Sequence, residues 1–155
     1  MALTNGCNHV AIVTQDLDRF IAFYRDAFEA DVDFDLAEDG LRHAMVRLGA
    51  GFGLHPFELP GDNPHATGRT SIFDRGHLDH LALDVADAAT FEALRARLVA
   101  MGASDGTVTD FGRIRSVSFT DPDGLDGEIA LWVDAEARRF ADRGVEAWDG
   151  VPVPS

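Results

Sequence analysis

Apolar positions along this chain recur with two periods, and the whole sequence of periods is run through twice. Asn8-His9-Val10-Ala11-Ile12-Val13 is a short apolar run opened by a polar residue and a histidine, the pattern of a strand. Asp16-Leu17-Asp18-Arg19 then leads into Phe20, Ile21, Phe23, Tyr24, Ala27 and Phe28, spaced i, i+3, i+4, i+7, i+8. That spacing predicts an amphipathic helix entered through acidic capping residues. Strand-like segments follow at 32–34, 42–48 and 53–57, parted by the turn signals Glu38-Asp39-Gly40 and Gly49-Ala50-Gly51.

The second passage begins 71 positions later. Asp79-His80-Leu81-Ala82-Leu83-Asp84 matches the first strand, with His80 in the place of His9. Phe91, Leu94, Leu98 and Val99 repeat the helical stripe, Phe91 for Phe20, Leu94 for Phe23 and Val99 for Phe28. Three further strands are expected at 107–109, 113–120 and 128–132, with Asp121-Pro122-Asp123-Gly124 as a turn. Each half is thus strand, helix and three strands, giving module 1 at 6–59 and module 2 at 78–133. The segment 60–77, rich in Pro, Gly and Asn, is expected to be an exposed linker or lid, and 134–155 a tail with a short helix at 134–142. A half of about 50 residues buries too little to stand alone. The two are therefore expected to pack as a pseudo-twofold pair, with a pocket between them where equivalent residues face one another.

Composition narrows the possibilities. With 155 residues and 46% hydrophobic positions the chain is expected to fold as one domain, 1–155, without a disulfide framework or structural metal. Its 13 basic residues, all Arg, stand against 27 acidic ones, a formal charge of −14 that repels phosphate backbones and anionic lipid. No nucleic-acid or membrane role is expected. Cys7 is the single cysteine, which excludes an intrachain disulfide and a thiol-rich metal site, and no leader-like or spanning apolar run is present. A cytoplasmic location is the expectation.

The candidate chemistry follows from the repeat. His9 and His80 open equivalent strands, so the symmetry relating the halves relates the two imidazoles, an arrangement suited to holding one ion. Glu128 shares a strand face with Ala130 and Trp132 in a largely apolar segment. There a carboxylate needs a cation or donors if buried, unless it sits in water at the strand mouth. In module 1 the corresponding strand supplies His55 and Glu58 on opposite faces if no bulge intervenes, and only one can face the cavity. The interval from His9 to His55 is 46 and from His80 to Glu128 is 48, which favours His55 as the counterpart of Glu128, although Pro56 marks an edge strand or bulge. Glu58 is held in reserve. His55 is read as a metal ligand or a pocket-facing acid/base group, and His55 and Glu128 are the candidate catalytic residues. Two imidazoles, a carboxylate and an open position suit a divalent metal ion such as Zn, Ni, Fe, Mn or Co, and leave room for substrate oxygens. His43 reads as a satisfied, partly buried residue and His65 and His77 as solvated. Arg113 and Arg115 read as surface residues able to reach a carboxylate, and the eleven Phe as mostly core.

Taken together, Asn8-His9-Val10-Ala11-Ile12, the helix with Phe23-Tyr24-Arg25-Asp26, His80 to Val85, and Asp121-Pro122-Asp123-Gly124 followed by Glu128 closely resemble the vicinal oxygen chelate superfamily. This is the group of glyoxalases, bleomycin-resistance proteins and extradiol dioxygenases. The resemblance covers 6–133. It implies an α+β fold of two βαβββ modules in pseudo-twofold arrangement, forming an open eight-stranded barrel-like sheet around a central cavity. Metal-dependent members place ligands on the first and last strands of each module, which fall here on His9, His80 and Glu128, with His55 the best match for the fourth. Glyoxalase-like members commonly present a carboxylate where His55 stands, and Tyr24, the only tyrosine, offers no counterpart to the second-shell Tyr of the dioxygenases. The implied functions are a metal-dependent lyase or isomerase using enolate-type proton transfer on a small oxygen-rich substrate, an extradiol-type ring-cleaving dioxygenase, or a metal-free drug- or metabolite-binding protein. Proteins of this fold often pair, so a homodimer is expected.

Overall fold

The computed structural model describes residues 7–61 and 78–133. The rest of the expected linker, with His65 and His77, and the tail 134–155 lie outside the described residues. Module 1 runs β1 (His9–Thr14), α1 (Leu17–Phe28), β2 (Asp31–Glu38), β3 (Leu41–Arg47) and β4 (Gly53–Glu58). Module 2 runs β5 (Leu81–Val85), α2 (Ala88–Ala100), β6 (Val108–Asp110), β7 (Ile114–Thr120) and β8 (Asp126–Trp132).

Both helices start in the same way. The Asp16 carboxylate accepts the N–H of Arg19 at 2.9 Å and that of Asp87 accepts the N–H of Thr90 at 2.8 Å, satisfying donors that the first helical turn leaves unpaired. Helix α1 buries Leu17, Phe20, Ile21, Phe23, Tyr24 and Ala27, the stripe its periodicity predicts, and ends where Glu29 turns left-handed (φ 55°). Helix α2 buries only Phe91 and Leu98, while Val99, the counterpart of Phe28, is exposed. The equivalence of the two stripes therefore holds for their centre and not for their flank.

The strands form two four-stranded sheets, ordered β1-β4-β3-β2 and β5-β8-β7-β6, not closed into a barrel. In each, the first and last strands of the module are parallel neighbours and the others antiparallel. The registers correspond: Ala11 lies opposite His55 and Ala82 opposite Glu128. His55 is thus the structural counterpart of Glu128, and the difference between the two intervals arises in the loops between helix and last strand.

Alternation along the strands divides each sheet into two faces. Ala44, Val46, Leu54 and Pro56 of the first sheet and Val117, Phe119, Ile129 and Leu131 of the second are buried, on the side of the helices. The two modules meet on this side. Phe119 packs against Phe23 and Phe28 with ring centroids 6.2 and 5.3 Å away. A Cβ at Gly127 would stand 2.2 Å from the Phe119 ring, so glycine there makes room for the aromatic contact between modules. The turn at 121–124 acts as a second tie. Asp123 accepts hydrogen bonds from Thr14 Oγ1 at 2.6 Å, from the Gln15 N–H at 3.2 Å and from Arg19 at 2.6 Å, and Tyr24 Oη donates to Asp121 at 3.2 Å. No described helix is long and apolar enough to cross a membrane.

Candidate metal centre

The faces turned away from the helices carry the candidate chemistry. On the first sheet this face presents His9, Ala11 and Val13 from β1, His55 and Phe57 from β4, and His43 and Met45 from β3, with Val13 half exposed. His9 and His55 stand with ring centroids 5.6 Å apart. On the second sheet the equivalent face presents Ala82, Glu128, Ala130, Ser116 and Ser118, with His80 at the entrance to β5. His80 Nε2 lies 3.4 Å from Glu128 Oε2, and the Glu128 side chain is 20% exposed. Glu128 is therefore neither sealed in the core nor free in water, but half-buried beside an imidazole.

The sequence-predicted donors are consequently gathered as two pairs, His9 with His55 and His80 with Glu128. The single cluster expected around one ion is not assembled within one chain: among the described residues no three His, Cys, Asp or Glu side chains group in a way that could hold a metal. The reason is topological, since β1 and β5 belong to separate sheets and the modules join through their helix sides. The groove between the modules, about 940 Å³, is lined by Phe28, Arg47, Leu83, Ala89 and Arg97 among others and contains none of the four donors. A second cleft of about 640 Å³ holds His80 and Glu128 together with Asp79, Asp105, Asp126 and Ser118.

Glu58 is committed elsewhere. Its carboxylate accepts the N–H of Leu17 at 2.8 Å and so satisfies the first turn of α1, which leaves His55 as the β4 candidate donor on the open face. Arg115 pairs with Asp110 at 3.0 Å on the sheet face opposite Glu128, away from both pairs of donors.

Electrostatics and ring contacts set the state of the first pair. Burial, and then the neighbouring His43 and His9, push the His55 imidazole below the ordinary histidine value. A neutral ring at pH 7 follows, the form that can coordinate a metal or accept a proton. His43 Nδ1 and His55 Nε2 are 2.9 Å apart and share a hydrogen bond. His43 also stacks on Phe57, centroids 5.4 Å apart and planes 7° apart, while the Phe34 edge meets both His43 and His55. His43, Phe34 and Phe57 were not expected in the site. The signal was their alternation: 43, 55 and 57 occupy open-face positions once β3 and β4 are in register. The donor types fit a divalent ion, two or three imidazoles and one carboxylate, provided the two pairs are brought together.

Comparison with known proteins agrees with this architecture. The family model described as Glyoxalase/Bleomycin resistance protein/Dioxygenase superfamily matches residues 6–129. A glyoxylase/bleomycin resistance protein/dioxygenase domain from Frankia sp. EAN1pec is 23% identical, covers 83% of this chain and 98% of its own, and superposes with a TM-score of 0.71. The fosfomycin resistance protein FosX from Listeria monocytogenes, solved with Mn(II) and sulfate, is 20% identical over 88% of this chain and 98% of its own, TM-score 0.61. Lactoylglutathione lyase from Agrobacterium tumefaciens is 21% identical over 84% of this chain and 96% of its own, TM-score 0.60. No curated protein matches the chain.

Proposed function

Because this chain belongs to the glyoxalase/bleomycin resistance protein/dioxygenase superfamily, we propose that it is a divalent-metal-dependent enzyme acting on a small oxygen-rich substrate by enolate-type proton transfer. Its centre forms where the His9–His55 pair of one copy meets the His80–Glu128 pair of a second. The observation that carries this reading is the register: His55 and Glu128 lie opposite Ala11 and Ala82, so each module offers two donors side by side at equivalent points of an open sheet face. Two copies related by a twofold axis would join unlike halves twice, giving two identical centres and leaving neither pair unused. The FosX structure solved with Mn(II) supports a hard divalent ion on such a scaffold.

When bound, the ion would supply Lewis-acid polarisation of adjacent substrate oxygens, lowering the energy of an enolate. The chain's own side chains do the rest. His9, His80 and Glu128 hold the ion's place. The neutral ring of His55 takes the fourth position or accepts the proton, with Glu128 the second group able to move one. The aromatic side chains Phe34 and Phe57 wall the substrate space on one side and exclude water from it.

The test combines metal content with complementation. Protein purified without added metal is expected to carry or take up close to one divalent ion per chain and to sediment as a dimer. His9→Ala and Glu128→Ala variants each lose binding, and mixing the two restores one intact centre per mixed dimer, because the undamaged halves come from different chains. Absence of restoration on mixing overturns the two-chain centre. Stoichiometric iron with oxygen uptake on catechols redirects the reaction to ring cleavage.

A second reading has its own support. Within one chain the described donors gather only in pairs, and the cleft at His80 is strongly acidic. A metal-free container for a cationic ligand fits both. Calorimetry showing no uptake of any divalent ion, with tight binding of a basic glycopeptide, would establish it over the enzyme.

A further inference from the structure

We infer that Asn8 and Asp79 are positioning residues, which lock His9 and His80 in the Nδ1–H tautomer and so present Nε2 of each ring as a free donor. What that nitrogen is used for rests on the metal-binding reading above, whereas the tautomer itself does not. His9 Nδ1 lies 2.7 Å from Asn8 Oδ1, and His80 Nδ1 lies 2.7 Å from Asp79 Oδ2. A carboxylate oxygen and an amide oxygen only accept hydrogen bonds, so the ring nitrogen facing each must carry the proton. A neutral imidazole holds one proton between its two nitrogens. Nε2 therefore keeps its lone pair.

One such contact between chain neighbours would mean little. Here it occurs twice, 71 positions apart, at the same point of two modules and with the same ring atom. The place in the fold explains how it arises. Successive side chains inside a strand point to opposite faces and cannot meet, but Asn8 and Asp79 stand just ahead of β1 and β5, where the chain has not yet entered the pleat. The freed nitrogen faces the second carboxylate: His80 Nε2 is 3.4 Å from Glu128 Oε2, against 2.7 Å for Nδ1 and Asp79, so the closer Asp79 takes the single ring proton. A hydrogen-bonded second ring nitrogen is what orients a metal-binding imidazole and raises its basicity. The two devices differ in one respect, since Asp79 adds a charge that the Asn8 amide lacks.

The experiment reads tautomer and affinity separately. In the metal-free protein at pH 8, ¹⁵N shifts of the imidazoles are expected to show Nδ1–H for both His9 and His80. Asn8→Ala and Asp79→Ala should each shift their own histidine toward Nε2–H and leave the other unchanged. Titration with Mn²⁺ or Zn²⁺ should find the alanine variants weaker by roughly 10–100-fold. Asn8→Asp and Asp79→Asn retain an acceptor oxygen and should stay within a few-fold of the parent. Both residues are exposed, so thermal melts serve as the folding control. Nε2–H rings in the parent, or alanine variants with unchanged tautomer or unchanged affinity, would overturn the inference. If the parent binds no ion, the metal reading falls, while the ¹⁵N shifts still decide the positioning role.

Discussion

The two modules share a backbone plan and differ in what they mount on it. In the first, the side chain opposite Ala11 is His55, hydrogen-bonded to His43 and enclosed by Phe34 and Phe57. In the second, the side chain opposite Ala82 is Glu128, whose neighbours across β7 and β8 are the small Ser118, Ser116 and Ala130. Duplication copied the pairing and the helix caps, and divergence then made one open face a wall of rings and the other an acidic cleft. The first face offers only imidazoles as donors, and the second an imidazole beside a carboxylate. The contrast with the opposite faces is as sharp. There the modules are bound to each other by Phe119 and by the turn at 121–124, in contacts that are local to neither half.

The largest effect should separate rings of the two kinds of face. Phe119 is 4% exposed and bridges to Phe23 and Phe28, so Phe119→Ala should cost about 3–5 kcal/mol in denaturant unfolding through lost burial and a cavity. Phe57→Ala, on the open face and only partly buried, should cost less than that. Equal losses at the two positions would mean that Phe57 is packed as tightly as Phe119, and the division into a structural and a functional side would be wrong.

The next effect concerns the tie between modules. Asp123 takes three hydrogen bonds from Thr14, Gln15 and Arg19, all in module 1. Asp123→Ala should therefore destabilise by about 1.5–3 kcal/mol, the range for hydrogen bonds to a partly buried charged group. Asp110→Ala removes an exposed pair with Arg115 and an acceptor for the Gly112 N–H, both inside module 2, and should cost less. Chemical denaturation of the two variants makes the comparison, and a larger loss at Asp110 would contradict the assignment of Asp123 as the clasp.

The repeat, the cap of the first helix and the eight strands were legible in the sequence because each rests on local periodicity and turn chemistry, and the match of His9 with His80 came from the same offset. The choice of His55 over Glu58 was favoured by the interval but not fixed by it. It depends on Glu58 being consumed by the N–H of Leu17, a contact between β4 and α1 that leaves no periodic trace. The exposure of Val99 was hidden for the same reason, since it is set by how far α2 is covered. His43 is partly buried and hydrogen-bonded, as its sequence context suggested, but its place beside His55 depends on register across β3 and β4, and the division of the donors into two pairs depends on which sheet faces the modules use to meet. These are long-range decisions carried by Phe119 and Asp123, each of which looks like an ordinary core or turn residue in one dimension.

The smallest effect is a pH dependence that also reports on the clasp. Burial is the main force lifting Asp121 above its ordinary value, opposed by the N–H groups of Leu125 and Asp123 and by the Tyr24 hydroxyl, and reinforced by the nearby Asp123 charge. Because the folded-state value lies above the unfolded one, near 3.8, the native state binds more protons between the two, and Asp121's contribution to stability falls as pH rises through that window. Asp33, Asp35, Asp87, Asp105 and Asp110 are all held low by donors and act in the opposite sense, so the total stability curve hides the effect. Asp121→Asn isolates it. Its Oδ1 can still accept from Asp123 and Leu125, at 2.9 Å each in the parent, while the titration disappears. The stability of the parent minus that of the variant should decline as pH rises above the unfolded-state value near 3.8 and then level off once the folded-state carboxyl is ionised. A flat difference would show that Asp121 is solvated in solution, and the contact with Tyr24 would then no longer count as part of what holds the modules together, whereas a rise with pH would mean that the donors around Asp121 outweigh its burial.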